Sequence, residues 1–315
     1  MQPLPTTLRC VLAVLFAGGL AGCSINRLAV NKLGDALAGG GSGTFATDDD
    51  PELVKAAVPF SLKLMESLLL ESPEHRGLLL ASSSGFTQYA FAFVQQEADE
   101  LESRDYSGAQ AMRLRAKRLY LRARDYGLRG LEVRQKGVRA ALAADPRRAL
   151  LSFQKADAPQ LYWTAAAWAA AIALGKDDPA LIAEVPQMEA LIDRAAALDE
   201  SWGGGAIHSF LITYEMSRQG LAGDSAERSR RQFDRAVELA GGKQAGPFVN
   251  FAEAVCVEQQ DFRQFESLLQ RALAVDADAH PELRLVNLVM QRRARWLLSR
   301  KDDLFLLPAP AAPAH

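Results

Sequence analysis

The sequence is poor in cysteine and lacks a long hydrophobic run. Three cysteines in 315 residues are too few for the disulfide framework of a small secreted protein. A membrane-spanning helix needs about 20 consecutive apolar residues, and the apolar run at residues 10–17 is much shorter, so we expect no such helix in the mature protein. Lys and Arg (36) nearly balance Asp and Glu (38). This balance argues against nucleic-acid binding, which requires a strongly basic surface.

Motifs for catalysis and metal binding are also missing. The four histidines form no H-E-x-x-H or paired pattern, and no two cysteines form a CxxC pair, so we predict neither a metal site nor a cofactor. Residues 82–86, Ser-Ser-Ser-Gly-Phe, lack the G-x-S-x-G pattern of a serine hydrolase and are interpreted as a helix start. We therefore predict that the protein is not an enzyme.

The N-terminus has the layout of an export signal. Arg9 precedes an apolar run at residues 10–17, and small residues follow, as is typical of a secretory signal peptide. Residues 20–23 read Leu-Ala-Gly-Cys and look like the lipobox of bacterial lipoproteins, in which the cysteine accepts the lipid. We predict a signal peptide at residues 1–22 and lipidation of Cys23. The alternative is an ordinary cleaved signal followed by an incidental cysteine.

Residues 23–50 are predicted to form a tether between the lipid and a folded domain. Residues 39–43 read Gly-Gly-Gly-Ser-Gly, a composition that is typical of flexible linkers. Ser24, rather than an aspartate, follows Cys23. This residue favours the outer membrane, facing the periplasm, over retention in the inner membrane.

Residues 51–307 are predicted to form an all-α domain. Apolar residues recur at helical spacing without a convincing strand pattern, and proline or glycine breaks leave about eleven helices. Asp50-Pro51 is typical of a helix start, because aspartate caps the first turn and proline suits its first position. Residues 308–315 are rich in proline and alanine and are predicted to be a disordered tail.

One pattern recurs in three of the predicted helices. Each copy has a bulky apolar residue, then Arg-Ala, then an apolar residue three positions further on; the copies are residues 192–199, 233–240 and 269–276. The alanines Ala195, Ala236 and Ala272 are separated by 236 − 195 = 41 and 272 − 236 = 36 residues, near the period of about 34 in tetratricopeptide (TPR) repeats. We predict a right-handed α-solenoid of degenerate TPR-like helix pairs with flanking helices, in which these buried alanines let the two helices of a unit approach closely. A plain helical bundle is the alternative.

Aromatic residues beside alanines indicate a candidate ligand or partner surface. Tyr162, Trp163 and Trp168 lie in a segment otherwise rich in alanine, and Trp202 begins a glycine-rich turn. Small residues beside large rings can form a pocket, and the concave face of a solenoid is a natural binding surface. Tight helix packing explains the same pattern equally well.

Charged residues supply two further candidates for this surface. His208 and Glu215 lie seven residues apart and roughly on one face of a predicted helix, although a hydrogen-bonded structural histidine is the favoured interpretation. Residues 113–129 are rich in arginine, with leucines at helical spacing. A solvated helix face is the favoured interpretation of this segment, and a site for charged headgroups or a partner is the alternative.

Several short segments, taken together, resemble a known family. They are residues 50–53, 119–127, 161–165 with Trp168, 198–201, 205–208 and 233–236. In order and spacing they resemble the T component of tripartite ATP-independent periplasmic (TRAP) transporters, a tetratricopeptide lipoprotein family often called TatT. The resemblance runs from Cys23 to about Leu307. Gln232 stands where the resemblance would place a histidine.

The resemblance implies a non-enzymatic accessory protein that binds a periplasmic solute-binding protein of a TRAP uptake system. It also implies a ligand, small or hydrophobic, that is handled through an internal cavity or pore. The alternative is a TPR lipoprotein that serves as a scaffold for envelope or outer-membrane assembly. The membrane, through Cys23, is a partner in both hypotheses, and a homo-oligomer remains open.

Overall fold

A computed structural model describes residues 32–34 and 43–306. Over these ranges every regular element is a helix and no β-strand occurs, as predicted. None of the described helices is both long enough and apolar enough to cross a membrane. The predicted signal peptide, Cys23, most of the tether and the tail at 308–315 lie outside the described residues.

Fifteen α-helices follow one another from Pro51 to Leu304. They are α1 (Pro51–Glu71), α2 (Arg76–Ala90), α3 (Gln96–Leu101), α4 (Tyr106–Arg134), α5 (Val138–Ala144), α6 (Pro146–Ala149), α7 (Ala158–Ala173), α8 (Pro179–Ile182), α9 (Val185–Leu198), α10 (Ala206–Ser217), α11 (Ser225–Ala240), α12 (Gly246–Phe251), α13 (Phe262–Leu273), α14 (Arg284–Ser299) and α15 (Lys301–Leu304). A π-helical segment, Phe91–Gln95, joins α2 to α3, and another, Ala252–Cys256, extends α12. Several helices of only four residues explain why the number exceeds the predicted eleven.

Aspartate side chains determine where many of these helices begin. The carboxylates that accept hydrogen bonds from backbone N–H groups of the first turn are Asp50, Asp105, Asp145, Asp178, Asp224 and Asp261. Asp50 accepts two such bonds, each of 3.0 Å, and Pro51 follows it as predicted. A cap of this kind contributes about 1 kcal/mol because it satisfies donors that have no partner within the helix.

The serine-rich segment at residues 82–86 is not a helix start. Helix α2 begins earlier, at Arg76, where the His75 Nδ1 atom accepts a hydrogen bond of 3.2 Å from the N–H of Leu78. Ser82 and Ser83 are therefore interior residues of α2, and both are fully buried. Their small side chains suit a position where neighbouring helices approach closely.

Helices α2, α4 and α7 meet around a glycine. A Cβ atom added at Gly127 of α4 would clash first with Thr164 Oγ1 on α7, and it would lie 2.9 Å from the Cβ of Thr164 and 3.0 Å from Ser83 Oγ on α2. Gln160 of α7 donates a hydrogen bond of 3.1 Å to the carbonyl of Gly127. The helix backbones are therefore too close to accept any larger side chain at position 127.

The alanines of the repeated pattern occupy equivalent places in α9, α11 and α13. Ala195, Ala236 and Ala272 are all fully buried. Each of these helices packs against an earlier helix: α9 against α7, α11 against α10, and α13 against α12. The bulky residue three positions before each alanine is also buried. The repeated pattern thus marks close packing between neighbouring helices, as predicted.

Ion pairs connect the last long helix to the beginning of the array. Asp99 of α3 lies 3.0 Å from Arg293 of α14 and 2.9 Å from Arg113 of α4. Glu253, in the π-helical segment after α12, also pairs with Arg293. The Asp99 and Arg293 side chains are only 17% and 11% exposed, so salt screens this pair weakly. We call Asp99, Arg113, Glu253 and Arg293 the terminal clasp.

Two further contacts reinforce the terminal clasp. Arg292 pairs with Glu100 at 2.7 Å, and this hydrogen bond raises the pKa of Arg292. Arg284 Nη1 donates a hydrogen bond of 2.8 Å to the carbonyl of Thr47. The two ends of the helical array therefore meet, and α14 packs against α1.

Replacing Arg293 with methionine should weaken the terminal clasp. We expect Arg293→Met to lower the free energy of unfolding by about 2 kcal/mol, because Asp99 and Glu253 lose a weakly screened partner. Amide hydrogen exchange of residues 47–60 should become faster. Arg295→Met is the control, since Arg295 is exposed and forms no ion pair within residues 43–306. Equal losses of stability in both variants would contradict the importance of the clasp.

A side chain at Gly127 should force α4 and α7 apart. We expect Gly127→Ala to lower the free energy of unfolding by about 2 kcal/mol, because overpacking outweighs the better helix propensity of alanine. Thr164→Ala removes the side-chain atoms beyond Cβ at the same crossing and should restore part of the loss in the double variant. Chemical denaturation of the wild type, the two single variants and the double variant measures the coupling free energy between the two positions. Strictly additive effects would mean that the two residues do not interact.

The aromatic cluster as the candidate functional site

Five aromatic rings from α7, the glycine-rich turn and α10 form one cluster. The ring centroid of Tyr162 lies 5.0 Å from that of Trp163 and 4.7 Å from that of Trp202. Phe210 lies 6.4 Å from Tyr162 on one side, and its ring stacks on Tyr214 at 5.7 Å on the other. We call these five residues the aromatic cluster. The structure thus brings together three of the four aromatic residues singled out in the sequence.

Tyr162 occupies the centre of the aromatic cluster. Burial among protein atoms raises the pKa of its phenol to about 12, yet part of the residue remains accessible to water. No group in the described part of the chain forms a hydrogen bond with its hydroxyl. The side chain is thus densely surrounded by protein atoms but still partly open to solvent, and its hydroxyl has no partner among the described residues.

The glycine-rich turn places Trp202 against Tyr162. Gly203, Gly204 and Gly205 all have left-handed backbone conformations, with φ values of 62°, 62° and 88°. A Cβ atom at Gly205 would also lie only 3.0 Å from the Cβ of Leu239 on α11. Three successive residues of this kind require glycine, so the position of Trp202 depends on the composition of the turn that follows it.

Trp168 lies outside the aromatic cluster. Its ring is 5% exposed, and its indole N–H donates a hydrogen bond of 2.8 Å to Glu184 Oε2. The guanidinium of Arg124 lies 5.4 Å from the ring centroid and also pairs with Glu184 at 2.9 Å. For this residue the core interpretation fits better than the pocket interpretation.

His208 links α10 to its neighbours through two contacts. Its Nδ1 atom lies 2.7 Å from Gln232 Oε1 on α11, and its Nε2 atom lies 3.2 Å from Glu200 Oε2. Arg235 pairs with the same carboxylate and lowers the pKa of Glu200. Gln232, which stands where the resemblance would place a histidine, is therefore a direct partner of His208. These contacts suit a structural role.

Glu215 has a different set of partners from His208. It is 4% exposed and accepts a hydrogen bond of 2.8 Å from Arg228 Nε on α11, while Arg218 lies 3.5 Å away. Two helical turns separate it from His208, although both belong to α10. Within the described ranges no three His, Cys, Asp or Glu side chains converge as a metal site would require.

The sequence interpretation missed two members of the aromatic cluster and the polar groups beside them. Phe210 and Tyr214 lie four residues apart on α10, a spacing that places them on one helix face. The Tyr214 hydroxyl donates a hydrogen bond of 2.8 Å to Glu189 Oε1, and burial together with this bond raises the pKa of Tyr214. The i, i+4 spacing of these two aromatic residues, shortly after Trp202, is the sequence signal that could have identified both as members of the cluster.

The arginine-rich part of α4 is partly paired and partly open. Arg113 belongs to the terminal clasp, and Arg124 is held by Glu184 and Trp168. Other side chains line an open cleft of about 450 Å³ on the outside of α4: Arg118, Leu121, Arg122, Asp125, Tyr126 and Arg129. The interpretation of residues 113–129 as a solvated helix face therefore applies to only part of this segment.

Comparison with known proteins agrees with the resemblance seen in the sequence. The family model described as TRAP transporter T-component matches residues 47–305, a range that includes all fifteen helices. An uncharacterized protein of Treponema pallidum (strain Nichols) is 31% identical over 303 residues, which cover 91% of this chain and 94% of that protein. The chain therefore belongs to the TRAP transporter T-component family.

Proposed function

We propose that this protein is a lipid-anchored accessory component of a TRAP-type uptake system that binds a periplasmic solute-binding protein and a small or hydrophobic ligand. Membership of its family associates the chain with a TRAP transporter system. This is a family of transporter accessory proteins and not a known enzyme family. The observation that carries the ligand part of the proposal is the accessible Tyr162 at the centre of the aromatic cluster.

We infer that the helices form a right-handed α-solenoid of TPR-like pairs. The pairs are α7 with α9, α10 with α11, and α12 with α13, and each pair is in contact. The buried alanines at equivalent places, separated by 41 and 36 residues, support this inference. In such an array one helix of each pair lines the concave side. The aromatic rings of α7 and α10 come from the first helices of two successive pairs.

The chemistry of the aromatic cluster favours a mainly apolar ligand. Trp163, Trp202 and Phe210 offer ring faces and edges, which contribute binding free energy through buried apolar area. The hydroxyl of Tyr162 adds one hydrogen-bonding group that can fix the orientation of a ligand. Pockets for small molecules commonly combine an apolar wall with a few polar groups in this way.

We further propose that the protein is held in the cell envelope through Cys23, on the outer membrane and facing the periplasm. The support is the lipobox-like sequence at residues 20–23 and the serine at position 24. Several acyl chains on one residue hold firmly, because each buried methylene contributes about 0.8 kcal/mol. A protein anchored in this position can meet a soluble periplasmic protein.

The partner is tested by capture from the native envelope. We expect the full acylated protein, extracted in mild detergent, to retain a TRAP solute-binding protein, identified by mass spectrometry. An unrelated lipoprotein extracted from the same membrane is the control and should not retain it. Recovery of outer-membrane assembly factors without a solute-binding protein would contradict the proposal and favour the scaffold function.

The ligand is tested by native mass spectrometry of the purified full protein. We expect a small molecule to be retained by the wild type and its affinity to fall about 30-fold in Tyr162→Ala, a factor that corresponds to about 2 kcal/mol for a buried aromatic anchor. Tyr106→Ala is the matched control, since Tyr106 is 65% exposed and lies outside the aromatic cluster. Equal retention by both variants would exclude the cluster as the ligand site.

A further inference from the structure

The outer face of α1 carries apolar side chains that the rest of the protein leaves uncovered. Leu53, Phe60 and Leu70 are 58%, 73% and 82% exposed. The α1 outer face consists of Leu53, Ala56, Phe60, Lys63, Ser67 and Leu70, all of which are exposed, and the exposed Glu52 and Glu71 lie at its two ends. Steps of three and four residues place these side chains on one stripe of the helix. An exposed apolar stripe of this kind marks an interaction surface.

The opposite face of α1 accounts for the helix's contribution to the core. Val54, Leu62, Met65 and Leu69 are buried against the neighbouring helices. The exposed leucines and phenylalanine are therefore not required for α1 to pack. Their exposure calls for a separate explanation.

A row of arginines on α4 lies beside the α1 outer face. Arg115, Arg118 and Arg122 are all exposed and follow one another at steps of three and four residues. Glu66, on the flank of α1, accepts a hydrogen bond of 2.8 Å from the Tyr126 hydroxyl of α4 and lies 3.6 Å from Arg122. This contact places the Arg122 end of the basic row beside the flank of α1 and so next to the apolar stripe.

The position of α1 in the chain brings this surface close to the lipid. Helix α1 is the first of the fifteen helices, and Arg284 holds Thr47 just before it. Gly34 lies against His75 and Leu78 at the start of α2, close to where α1 ends, because a Cβ atom added at Gly34 would be 2.9 Å from a side-chain atom of each. Between Cys23 and Gly34 there are 34 − 23 = 11 residue steps, which span at most roughly 40 Å when extended. A short connection of this kind keeps this end of α1 near the bilayer and raises its effective concentration there.

We propose that the α1 outer face lies on the membrane surface. Leu53, Phe60 and Leu70 enter the boundary between headgroups and acyl chains, and the α4 arginines meet the phosphates of anionic phospholipids. Helices with large apolar side chains on one face and basic residues alongside bind the interface in this manner. The proposal rests on the lipid anchor proposed above and is independent of the solute-binding partner. Contact along α1 sets the orientation of the helical domain as well as its distance from the bilayer.

A fluorescent probe on α1 tests this orientation in the full acylated protein. Ser67→Cys introduces a labelling site within the α1 outer face, and Gln270→Cys introduces a matched exposed site on α13. Cys256 is buried and so does not compete for the label. The two labelled proteins are incorporated into vesicles of phosphatidylethanolamine with phosphatidylglycerol, and into vesicles of phosphatidylcholine alone.

We expect the probe at position 67 to shift to shorter emission wavelengths and to be quenched by nitroxides attached to the lipids, most strongly in the anionic vesicles. The probe at position 270 should show the emission of a water-exposed probe in both kinds of vesicle. When Phe60→Ser and Leu70→Ser are added to the protein labelled at position 67, the ratio of shielded to water-exposed probe should fall at least about tenfold, since two large apolar side chains are lost. Ile182→Ser with Leu221→Ser is the control pair, because both residues are exposed but lie away from α1.

Three results would overturn the proposal. A probe at position 67 that stays in water while the protein remains on the vesicles would show that α1 faces away from the bilayer, whatever the outcome of solute-binding-protein capture. Shielding without vesicles, independent of protein concentration, would show that another segment of this chain covers α1. Shielding without vesicles that increases with protein concentration would show that a second copy does so.

Discussion

Gly127 of α4 and Thr164 of α7 meet where no larger side chain fits between the two backbones. Small residues mark three further helix contacts: Ala195, Ala236 and Ala272 are fully buried, and their helices α9, α11 and α13 pack against α7, α10 and α12. The hydrophobic core is divided into several clusters rather than gathered around one centre. Close approach of packed helices is therefore the condition on which the described architecture rests.

The candidate site depends on contacts between segments that are not consecutive in the chain. Tyr162 of α7 reaches both Trp202, in the turn between α9 and α10, and Phe210 on α10. Around this cluster the charged residues of α10 are already engaged, since His208 contacts Glu200 and Gln232 while Glu215 pairs with Arg228. The accessible part of the candidate site is consequently mainly aromatic, and the hydroxyl of Tyr162 has no partner among the described residues.

The terminal clasp gives the array a property that neighbour-to-neighbour packing alone would not supply. Asp99 and Arg293 are 194 residues apart in the chain, yet their pair joins α3 to α14. An open array would leave the outer faces of its end helices without partners, whereas here the two ends meet through partly buried charges. The α1 outer face nevertheless stays exposed, on the first of the fifteen helices.

The sequence by itself determined what depends on neighbours within a turn or two of helix. Aspartates before prolines predicted helix starts such as Pro51, the Arg-Ala pattern predicted buried alanines, and ordered short segments indicated the family. Only the tertiary structure decided which distant residues meet. It separated Trp168 from Trp202, added Phe210 to the cluster, and placed the serines at 82–84 inside α2. The reason is physical: a cap or an i, i+4 spacing acts through local backbone geometry, whereas a ring contact or an ion pair such as Asp99 with Arg293 exists only after all the intervening helices have packed.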